Sequence, residues 1–459
     1  MSSNQHNRPL LTLLIASTML LGLVVLFSYS GYSKWFADQG LQFTQWQYLL
    51  PKTETSIKKY VREKPKPKPD SIILKKLTAA ERQQIDTLHK KIHFLDNESV
   101  NGVTPLDAFF ASLEKTADST IHIWYYGDSQ IEGDRITQDL RALMQKQFGG
   151  SGQGVVPFSD VASYRFLETD CDGFNKFNVF NHRKIKGFGF NGIRYRLKQQ
   201  DSSAAYSKCR FFPGMQFSKV YLLHDHDIKS IVQVSADKKS NKIFTLTGNK
   251  TLIHEGLCRE LTVSYNATST SYFGYLVEGK HGIQIDNCGI RGHSGDGLFS
   301  ISNAILQQHA GILNTRLVVF HYGNNAIPYI QNDAHAAHVG NEFYKLFVKY
   351  RKALPGTSIL VVSGGDMGRI IDEKPEPYPY AAALAAEMEK AAEKAGCAFF
   401  DMHALMQAND GIAGWVKQGK ASIDGHLSAY GQKYFAQALY RELMKSYEIY
   451  KISHTRSHK

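Results

Sequence analysis

The sequence predicts an α/β domain that is interrupted by an inserted β-sandwich and preceded by a transmembrane helix. Three features lead to this prediction: apolar strand segments that alternate with amphipathic helical segments, a central stretch of short β-prone segments, and an uncharged N-terminal run. Apolar strands that alternate with helices indicate a parallel sheet covered on both faces. The predicted bounds are 1–33 for a membrane anchor, 34–74 for a basic linker, 75–157 and 286–459 for the α/β domain, and 158–285 for the insert.

The uncharged run from Leu10 to Tyr29 predicts a membrane anchor. About 20 apolar residues are enough for an α-helix to cross a bilayer. The run is longer than the apolar part of a usual signal peptide, and no A-x-A cleavage site follows it, so we expect an uncleaved anchor, with cleavage as the alternative. The proline- and lysine-rich stretch 62–69 then predicts an extended spacer.

The composition allows large cores and argues against nucleic-acid binding. The chain has 459 residues, of which 43% are hydrophobic, and a formal net charge of +12. This charge favours polyanionic surroundings such as anionic lipid or cell-wall polymer. We expect no nucleic-acid partner, because the sequence has no zinc-finger spacing, no RNP-type aromatic segment and no basic helix followed by heptads.

The cysteines and histidines give no metal-binding pattern. None of the five cysteines forms a CxxC pair, and Cys397 lies in an apolar segment where we expect a buried free thiol. One disulfide among the other four cysteines stays open. The pairs His335 and His338, and His224 and His226, lack a third ligand nearby, so we expect neither a metal nor a cofactor.

Two parts of the sequence alternate predicted strands with predicted helices, and the region between them contains only short β-prone segments. The predicted strands of the α/β domain are 121–126, 317–322, 358–363 and 397–401, and its predicted helices include 136–148, 342–352, 381–395 and 430–447. Between them, five short β-prone segments lie at 219–223, 230–234, 242–246, 261–265 and 272–277. Strands this short and closely spaced predict a β-sandwich.

Residues suited to nucleophilic catalysis follow the ends of these strands. Ser129, in Gly127-Asp128-Ser129, follows the first strand, at the edge where open α/β sheets place their active sites. His426, in Asp424-Gly425-His426, precedes the last helix. A serine nucleophile needs a base to accept its proton, and the base needs a carboxylate to orient it, so we assign these roles to His426 and Asp424.

Two further turns could stabilise a developing oxyanion. Asn325, in Gly323-Asn324-Asn325, could donate a side-chain amide hydrogen bond, and Gly295, in Ser294-Gly295-Asp296, could donate a backbone N–H. Each of these short motifs alone is better explained as an ordinary turn or surface loop. Their order along the chain, and the place of at least three of them at the carboxyl ends of strands of one predicted sheet, favour a single site.

These four motifs resemble those of the SGNH (GDSL-like) hydrolases, over roughly 121–444. The resemblance implies a flavodoxin-like three-layer α/β/α domain, with Ser129 as nucleophile and Ser129, Gly295 and Asn325 as oxyanion donors. Ala326 replaces the usual Asp, and the Asp-Gly-His motif has one residue fewer than usual, which predicts a weakened contact between Asp424 and His426. A narrower resemblance, to bacterial peptidoglycan O-acetylesterases with their inserted carbohydrate-binding-like module, rests on the stretches 127–135, 149–154 and 286–292.

The resemblance implies an esterase that removes acyl groups, chiefly O-acetyl groups, from an envelope glycan through an acyl-serine. The implied partners are an acylated glycan, the membrane and an acyltransferase within it. The expected location is the inner membrane, with the catalytic domain in the periplasm. The alternatives are an O-acyltransferase that acts on an envelope polysaccharide and a non-catalytic glycan-binding protein.

Overall fold

The computed structural model describes most of the chain beyond the predicted anchor and linker. The described ranges are 77–99, 103–160, 164–182, 184–198, 205–225, 230–266, 269–372 and 374–454. The predicted membrane helix at 10–29 and the predicted spacer at 62–69 lie outside them. Within the described ranges, none of the helices is both long and apolar enough to cross a membrane.

The helices flank the insert on both sides along the chain. They are α1 (Ala79–His89), α2 (Asp107–Leu113), α3 (Arg135–Phe148), α4 (Asn303–Leu313), α5 (Asp333–Ala353), α6 (Ala381–Lys394), α7 (Met402–Gln407), α8 (Gly411–Lys417) and α9 (Ala429–His454). Short 3₁₀ helices span Glu132–Asp134, Asp296–Ser300 and Ile327–Tyr329.

The strands fall into two larger groups and one small hairpin. They are β1 (Leu95–Asp96), β2 (Thr120–Gly127), β3 (Gly154–Val156), β4 (Leu167–Asp172), β5 (Phe174–Asn178), β6 (Ile193–Leu197), β7 (Tyr206–Phe211), β8 (Lys219–His224), β9 (Ile231–Ala236), β10 (Ser240–Thr245), β11 (Lys250–Glu255), β12 (Glu260–Tyr265), β13 (Tyr272–Glu278), β14 (Gly282–Gly289), β15 (Thr315–His321), β16 (Ser358–Val362), β17 (Gly368–Ile371), β18 (Lys374–Pro377) and β19 (Ala398–Phe400).

The α/β domain is built on a six-stranded sheet of order β1-β19-β16-β15-β2-β14. All neighbours are parallel except β1, which pairs with β19 in the antiparallel sense. The central strands are buried along almost their whole length, which explains why they are apolar without alternation. The predicted α/β fold is confirmed.

The two faces of this sheet contribute side chains to two separate hydrophobic cores. Successive strand residues point to opposite faces, so Trp124 and Tyr126 of β2 pack with Phe347 and Met388 of α5 and α6. The alternate residues pack on the other side with α3 and α9, as Tyr125 shows. The domain therefore has helices on both faces of a central sheet.

The inserted region contains two antiparallel sheets that share one core. Their strand orders are β10-β9-β12-β7-β4 and β11-β8-β13-β6-β5, and β3 pairs with β13. The shared core takes Leu261 and Val263 from the first sheet and Leu222 and Tyr275 from the second. A separate side of the second sheet, at Phe273, packs against the core of the α/β domain.

The strand pairing moves both limits of the insert. Val155 in β3 pairs with Leu276 of β13, so the chain enters the insert's sheet a few residues before the expected start at 158. β14 begins at Gly282 and pairs with β2, so the chain returns to the parallel sheet before the expected limit at 285. The positions of these limits depend on which sheet each strand joins, and this is decided by distant residues.

All five cysteines have free thiols. Cys397 is buried, in agreement with the prediction for this residue. Within the described ranges, no group of three or more His, Cys, Asp or Glu side chains is arranged to hold a metal ion.

A buried ion cluster joins the α/β domain to the insert. His122 of β2 bonds through Nδ1 to Asp286 Oδ2 of β14 at 2.8 Å and through Nε2 to Glu278 Oε2 of β13 at 3.2 Å. The other Asp286 oxygen accepts the N–H of Val155 at 3.0 Å. Burial by itself would lower the pKa of His122, but the two carboxylates outweigh it and raise the pKa to about 9. His122 is therefore charged at neutral pH.

Candidate active site

Ser129 lies just beyond the carboxyl end of β2, between β14 and β15. Glycine suits position 127, because a Cβ would lie only 3.0 Å from the carbonyl oxygen of His321 and from the side chain of Ile131. The chain then turns, with the Asp128 carbonyl accepting the N–H of Ile131 at 3.2 Å. A 3₁₀ turn follows, and α3 begins only at Arg135. The turn presents a largely buried Ser129 to a pocket.

Asp424 and His426 lie on a tight loop between α8 and α9. Ser422 N–H donates to the His426 carbonyl at 2.9 Å, and Gly425 N–H donates to the Ser422 carbonyl at 3.0 Å. Gly425 has a φ of +84°, and a Cβ there would lie 2.8 Å from the Cβ of Met367. The missing residue in the Asp-Gly-His motif is therefore accommodated by a turn that only glycine fits.

The loop brings the three predicted catalytic side chains into one hydrogen-bonded chain. Ser129 Oγ lies 2.8 Å from His426 Nε2, and His426 Nδ1 lies 2.9 Å from Asp424 Oδ2. The short motif thus does not keep the carboxylate from the imidazole, contrary to the weakened contact predicted from the sequence. Partial burial raises the pKa of Asp424, but hydrogen bonds from Ser422 and His426 outweigh it and hold the pKa below its usual value. Asp424 is therefore ionised at neutral pH.

Gln130 fixes the loop from the nucleophile side. Its side-chain Nε2 donates to the Gly425 carbonyl at 2.8 Å, and its Oε1 accepts the Leu427 N–H at 3.3 Å. The amide therefore bonds the backbone on both sides of His426. Gln130 is buried and directly follows Ser129 in the chain, so it ties the positions of Ser129 and His426 to each other.

Asn325 and Asp128 form a second polar contact beside Ser129. Asn325 Nδ2 donates to Asp128 Oδ2 at 2.9 Å and to the carbonyl of His293 at 3.3 Å. Burial raises the pKa of Asp128 to about 6, although the Gln130 N–H, His426 and Asn325 act in the opposite direction. The neighbouring Asn324 points inward, where its Oδ1 accepts the N–H of Gly365 at 3.1 Å. Of the two asparagines, Asn325 is the one at the pocket, as predicted.

The structure places Gly295 away from the pocket and Gly292 at it. Gly295 is buried, and a Cβ there would face the side chains of Tyr322, Phe343 and Leu346. Gly292 lines the pocket together with Ser129. It has a φ of +74° and is the third residue of a turn closed by the bond from His293 N–H to the Ile290 carbonyl at 3.1 Å.

The pocket itself is open and has a volume of about 770 Å³. Ser129, Asn325 and His426 lie on its wall, together with residues from the loop, the Gly292 turn and the start of α3. The other lining residues are Arg135, Arg291, Gly292, Ala421, Ser422, Leu427, Ser428 and Gln432. The pocket is therefore assembled from four separate parts of the chain.

The sequence did not indicate the place of Gly292, Arg135 and Arg291 at the pocket or the contacts of Gln130 with the loop. Gly292 had a signal, because it follows the end of a strand in Gly289-Ile290-Arg291-Gly292. The role of Gln130 depends on contacts to residues nearly 300 positions away, as the separation of 295 from Gly425 shows. No local pattern indicates such a contact.

Comparison with known proteins adds evidence on the fold. No family model and no curated protein matches the chain. A solved structure of a peptidoglycan O-acetylesterase matches with a TM-score of 0.64 and 19% identity, covering 77% of this chain and 99% of that one. A lipase/acylhydrolase from Enterococcus faecalis matches with a TM-score of 0.26 and 13% identity, over 36% of this chain and 77% of that one. A family two carbohydrate esterase from Clostridium thermocellum matches with a TM-score of 0.25 and 10% identity, over 60% of this chain and 100% of that one.

Only the first likeness is strong enough to carry an argument, and it concerns the fold. It extends over nearly the full length of the other chain. The described part of this chain therefore has the same fold as that peptidoglycan O-acetylesterase structure.

Proposed function

We propose that this protein is a serine esterase that removes acyl groups, chiefly O-acetyl groups, from a cell-envelope glycan such as peptidoglycan. One observation carries the proposal: Ser129, His426 and Asp424 form a hydrogen-bonded chain, with contacts of 2.8 and 2.9 Å, and the serine faces an open pocket. This is the arrangement that activates a serine hydroxyl for acyl transfer. The likeness in fold to a peptidoglycan O-acetylesterase supports the choice of substrate.

In the first step, Ser129 Oγ attacks the carbonyl carbon of the ester while His426 Nε2 accepts the hydroxyl proton. Asp424 bonds Nδ1–H, which holds the imidazole in the tautomer that can accept this proton. The tetrahedral adduct collapses, the sugar oxygen leaves with the proton from His426, and an acyl-serine remains. Water then adds to the acyl-serine with His426 again as base, and this releases the acid and restores Ser129.

The negatively charged oxygen of the tetrahedral adduct needs hydrogen-bond donors that point at its position. We assign the backbone N–H groups of Ser129 and Gly292 and the side-chain amide of Asn325, in place of the Gly295 N–H expected from the sequence. Asn325 Nδ2 has two hydrogens, and its bond to the His293 carbonyl, at 3.3 Å, is longer than its bond to Asp128, at 2.9 Å. The longer bond is the one that an oxyanion would replace.

The exposure of the base favours hydrolysis over acyl transfer to a sugar. The side chains of His426 and Asp424 are 48% and 59% exposed, so water can reach the acyl-serine. A transferase has to keep water from this intermediate. The intact catalytic chain also favours an enzyme over a glycan-binding protein without activity.

A serine-directed fluorophosphonate tests the catalytic assignment. It should label the protein at Ser129, as located by mass spectrometry of peptides, and Ser129→Ala should abolish both the label and the turnover of aryl acetates. Ser119→Ala, at the opposite end of β2, is the matched control and should keep both. Full activity in Ser129→Ala would refute the proposal.

The proposal gives the insert the task of holding the glycan chain near the pocket. The insert packs on the α/β domain through Phe273 and is tied to it by the His122 cluster, so it has a fixed place beside the sheet. Replacement of 158–280 by a short Gly-Ser bridge should spare the turnover of aryl acetates and weaken action on polymeric glycan. An equal loss on both substrates, in a folded variant, would contradict this role.

We also propose that the protein lies in the inner membrane with its active site in the periplasm. This proposal rests on the uncharged run from Leu10 to Tyr29. Fractionation of cells should recover full-length protein in the inner membrane. A soluble periplasmic form that starts near Lys34 would show instead that the run is a cleaved signal.

A further inference from the structure

Two arginines lie on the wall of the pocket that contains Ser129. Arg135 begins α3, and Arg291 lies in the turn that precedes Gly292. Among the described residues that line the pocket there is no Asp or Glu side chain. The formally charged side chains on this wall are therefore two cations.

Both guanidinium groups are held in place by hydrogen bonds. Arg291 bonds the buried carboxylate of Glu132 through Nε at 2.8 Å and Nη2 at 2.7 Å. Arg135 Nη1 donates to the carbonyl of Ser129 at 2.6 Å. A guanidinium has five N–H donors, so these bonds leave donors for a ligand on each side chain. A group that is already oriented loses little freedom when a ligand binds.

Arg141, which is also in α3, is a structural arginine and serves as a comparison. Arg141 is buried, pairs with both oxygens of Asp134 at 2.7 Å, and donates twice to the carbonyl of Ile285. By contrast, the side chain of Arg291 is 61% exposed and faces the pocket. The charge of Arg291 is balanced by Glu132, whereas Arg135 bonds an uncharged carbonyl. Arg135 is thus the less neutralised of the two cations on the pocket wall.

We propose that the pocket selects acylated glycans that carry a carboxylate on the acylated sugar or its neighbour. This inference rests on the proposed esterase function. The flat guanidinium groups of Arg135 and Arg291 match the two oxygens of a carboxylate, which would fix the sugar while Ser129 attacks the ester. A neutral glycan would leave these donors to water and would gain no such contact.

The test compares an acetylated oligouronate with the same oligosaccharide after reduction of its carboxyl groups to alcohols. Wild-type protein should show a kcat/KM about 10-fold higher for the uronate, because a hydrogen bond to a charged group at an exposed site lies at the low end of the usual range. The preference should shrink in high salt. Arg291→Gln and Arg135→Gln should each reduce the ratio, and Arg316→Gln, at the opposite end of the sheet, should leave it unchanged.

Two outcomes would overturn the inference: equal kcat/KM for both glycans in the wild type, or an undiminished ratio in both arginine variants. Arg291→Gln keeps the test valid if Arg135→Gln fails to fold, because the Arg291 side chain is mostly exposed. Failure of the esterase function itself would look different. In that case neither glycan nor an aryl acetate would be turned over, and Ser129 would not be labelled.

Gln130 joins the turn of Ser129 to the loop of His426, independently of the two arginines. Its two hydrogen bonds, at 2.8 and 3.3 Å, hold the backbone on both sides of His426, and the residue belongs to the same turn as Ser129. We infer that Gln130 is a positioning residue that sets the distance between Ser129 Oγ and His426 Nε2. Without it, the loop would keep the bonds from Gly368 N–H to the Ile423 carbonyl, at 2.7 Å, and from Gln432 Nε2 to the Leu427 carbonyl, at 2.8 Å, but neither donor belongs to the turn that contains Ser129.

Gln130→Met and Gln130→Glu separate this role from simple stability. Methionine removes both bonds, whereas glutamate can still accept from Leu427 N–H but cannot donate, when ionised, to the Gly425 carbonyl. We expect kcat on an aryl acetate to fall about 10-fold or more in both variants, with KM within about twofold, since the loss falls on the chemical step. The pH profile of kcat should also shift, because the surroundings of His426 change.

The matched control is Gln145→Met. The Gln145 amide bonds the carbonyls of Gly152 and Ile283, away from the pocket, so its loss should lower the melting temperature without a change in kcat. If the Gln130 variants behave like this control, with lower stability and unchanged kcat and pH profile, the positioning role is refuted.

Discussion

The protein contains two histidine–carboxylate pairs that have nearly equal bond lengths and very different surroundings. His426 lies 2.9 Å from Asp424 on an exposed loop, and His122 lies 2.8 Å from Asp286 between two strands. The side chain of His426 is 48% exposed, whereas that of His122 is 1% exposed. The same chemical pair is thus placed once at a pocket and once inside the fold.

The difference shows that a histidine–carboxylate contact does not by itself make a catalytic base. His122 contacts carboxylates on both ring nitrogens, and its pKa of about 9 keeps it charged at neutral pH. It therefore has no free position to accept a proton. His426 contacts a carboxylate on one side only and has Ser129 on the other, so it can take the proton of the serine.

The largest expected effect is the fall in kcat when the exposed histidine is removed. His426→Ala removes the base, and no other side chain contacts Ser129 Oγ in the described part of the chain at hydrogen-bond distance. The kcat for an aryl acetate should fall by about 10⁴-fold or more, with the melting temperature nearly unchanged. Circular dichroism should confirm the fold. A loss of less than tenfold would show that His426 is not the base.

The loss of the buried histidine should lower the stability of the protein and leave its kcat nearly unchanged. His122→Ala leaves Asp286 buried without its cation and leaves Glu278 with Lys250 at 3.9 Å, which should cost about 3–5 kcal/mol of unfolding free energy. His122 lies at the start of β2 and Ser129 beyond its end, about 20 Å apart at the usual rise of a strand. Urea unfolding measures the first effect, and kcat per folded molecule should stay near the wild-type value. A stable variant with lost activity would reverse the assignment of the two pairs.

The carboxylate of the exposed pair should matter less than its histidine. Asp424→Asn removes the charge that orients His426 Nδ1–H, so kcat for an aryl acetate should fall by about 10² to 10³-fold. Because Asp424 is 59% exposed, water can replace part of its contact. A loss equal to that of His426→Ala would mean that the carboxylate is as essential as the base.

The smallest expected effect is a pH dependence of stability that comes from the buried pair. The folded pKa of His122, about 9, lies above its usual 6.5, so its stabilising effect is fully present below pH 6.5 and is lost as pH rises through 9. The loss should amount to about 3 kcal/mol of unfolding free energy. Urea unfolding at several pH values should show this decline in the wild type and a flatter curve in His122→Gln. Equal slopes would rule out His122 as the source.

The strands of the α/β domain could be predicted because their signals are local. Ile121–Tyr126 is apolar apart from His122, and the structure buries it on both faces of the sheet. Ser129 and Asn325 could be selected because each follows such a strand at the same edge of a parallel sheet, and His426 because it precedes the last helix. The structure brings these residues to one pocket.

The choice between Gly295 and Gly292 could not be made from local pattern, because both glycines lie in turns of positive φ. Their surroundings become different only when the chain is folded. Helix α5 packs Phe343 and Leu346 over Gly295, while Gly292 stays at the pocket. The weakened contact of Asp424 was wrongly predicted for a similar reason, since residue spacing does not show that Gly425 turns the chain sharply enough to close the contact.

The sequence by itself determined the α/β pattern, the β-rich insert region and the residues suited to carry acyl-transfer chemistry, because periodicity and turn residues act over a few positions. Only the tertiary structure decided which glycine faces the pocket, where the insert joins the sheet, and what holds His426 in place. The physical reason is distance along the chain. The contacts of Gln130 with the loop and of His122 with Glu278 join residues 295 and 156 positions apart, and these depend on how whole layers pack.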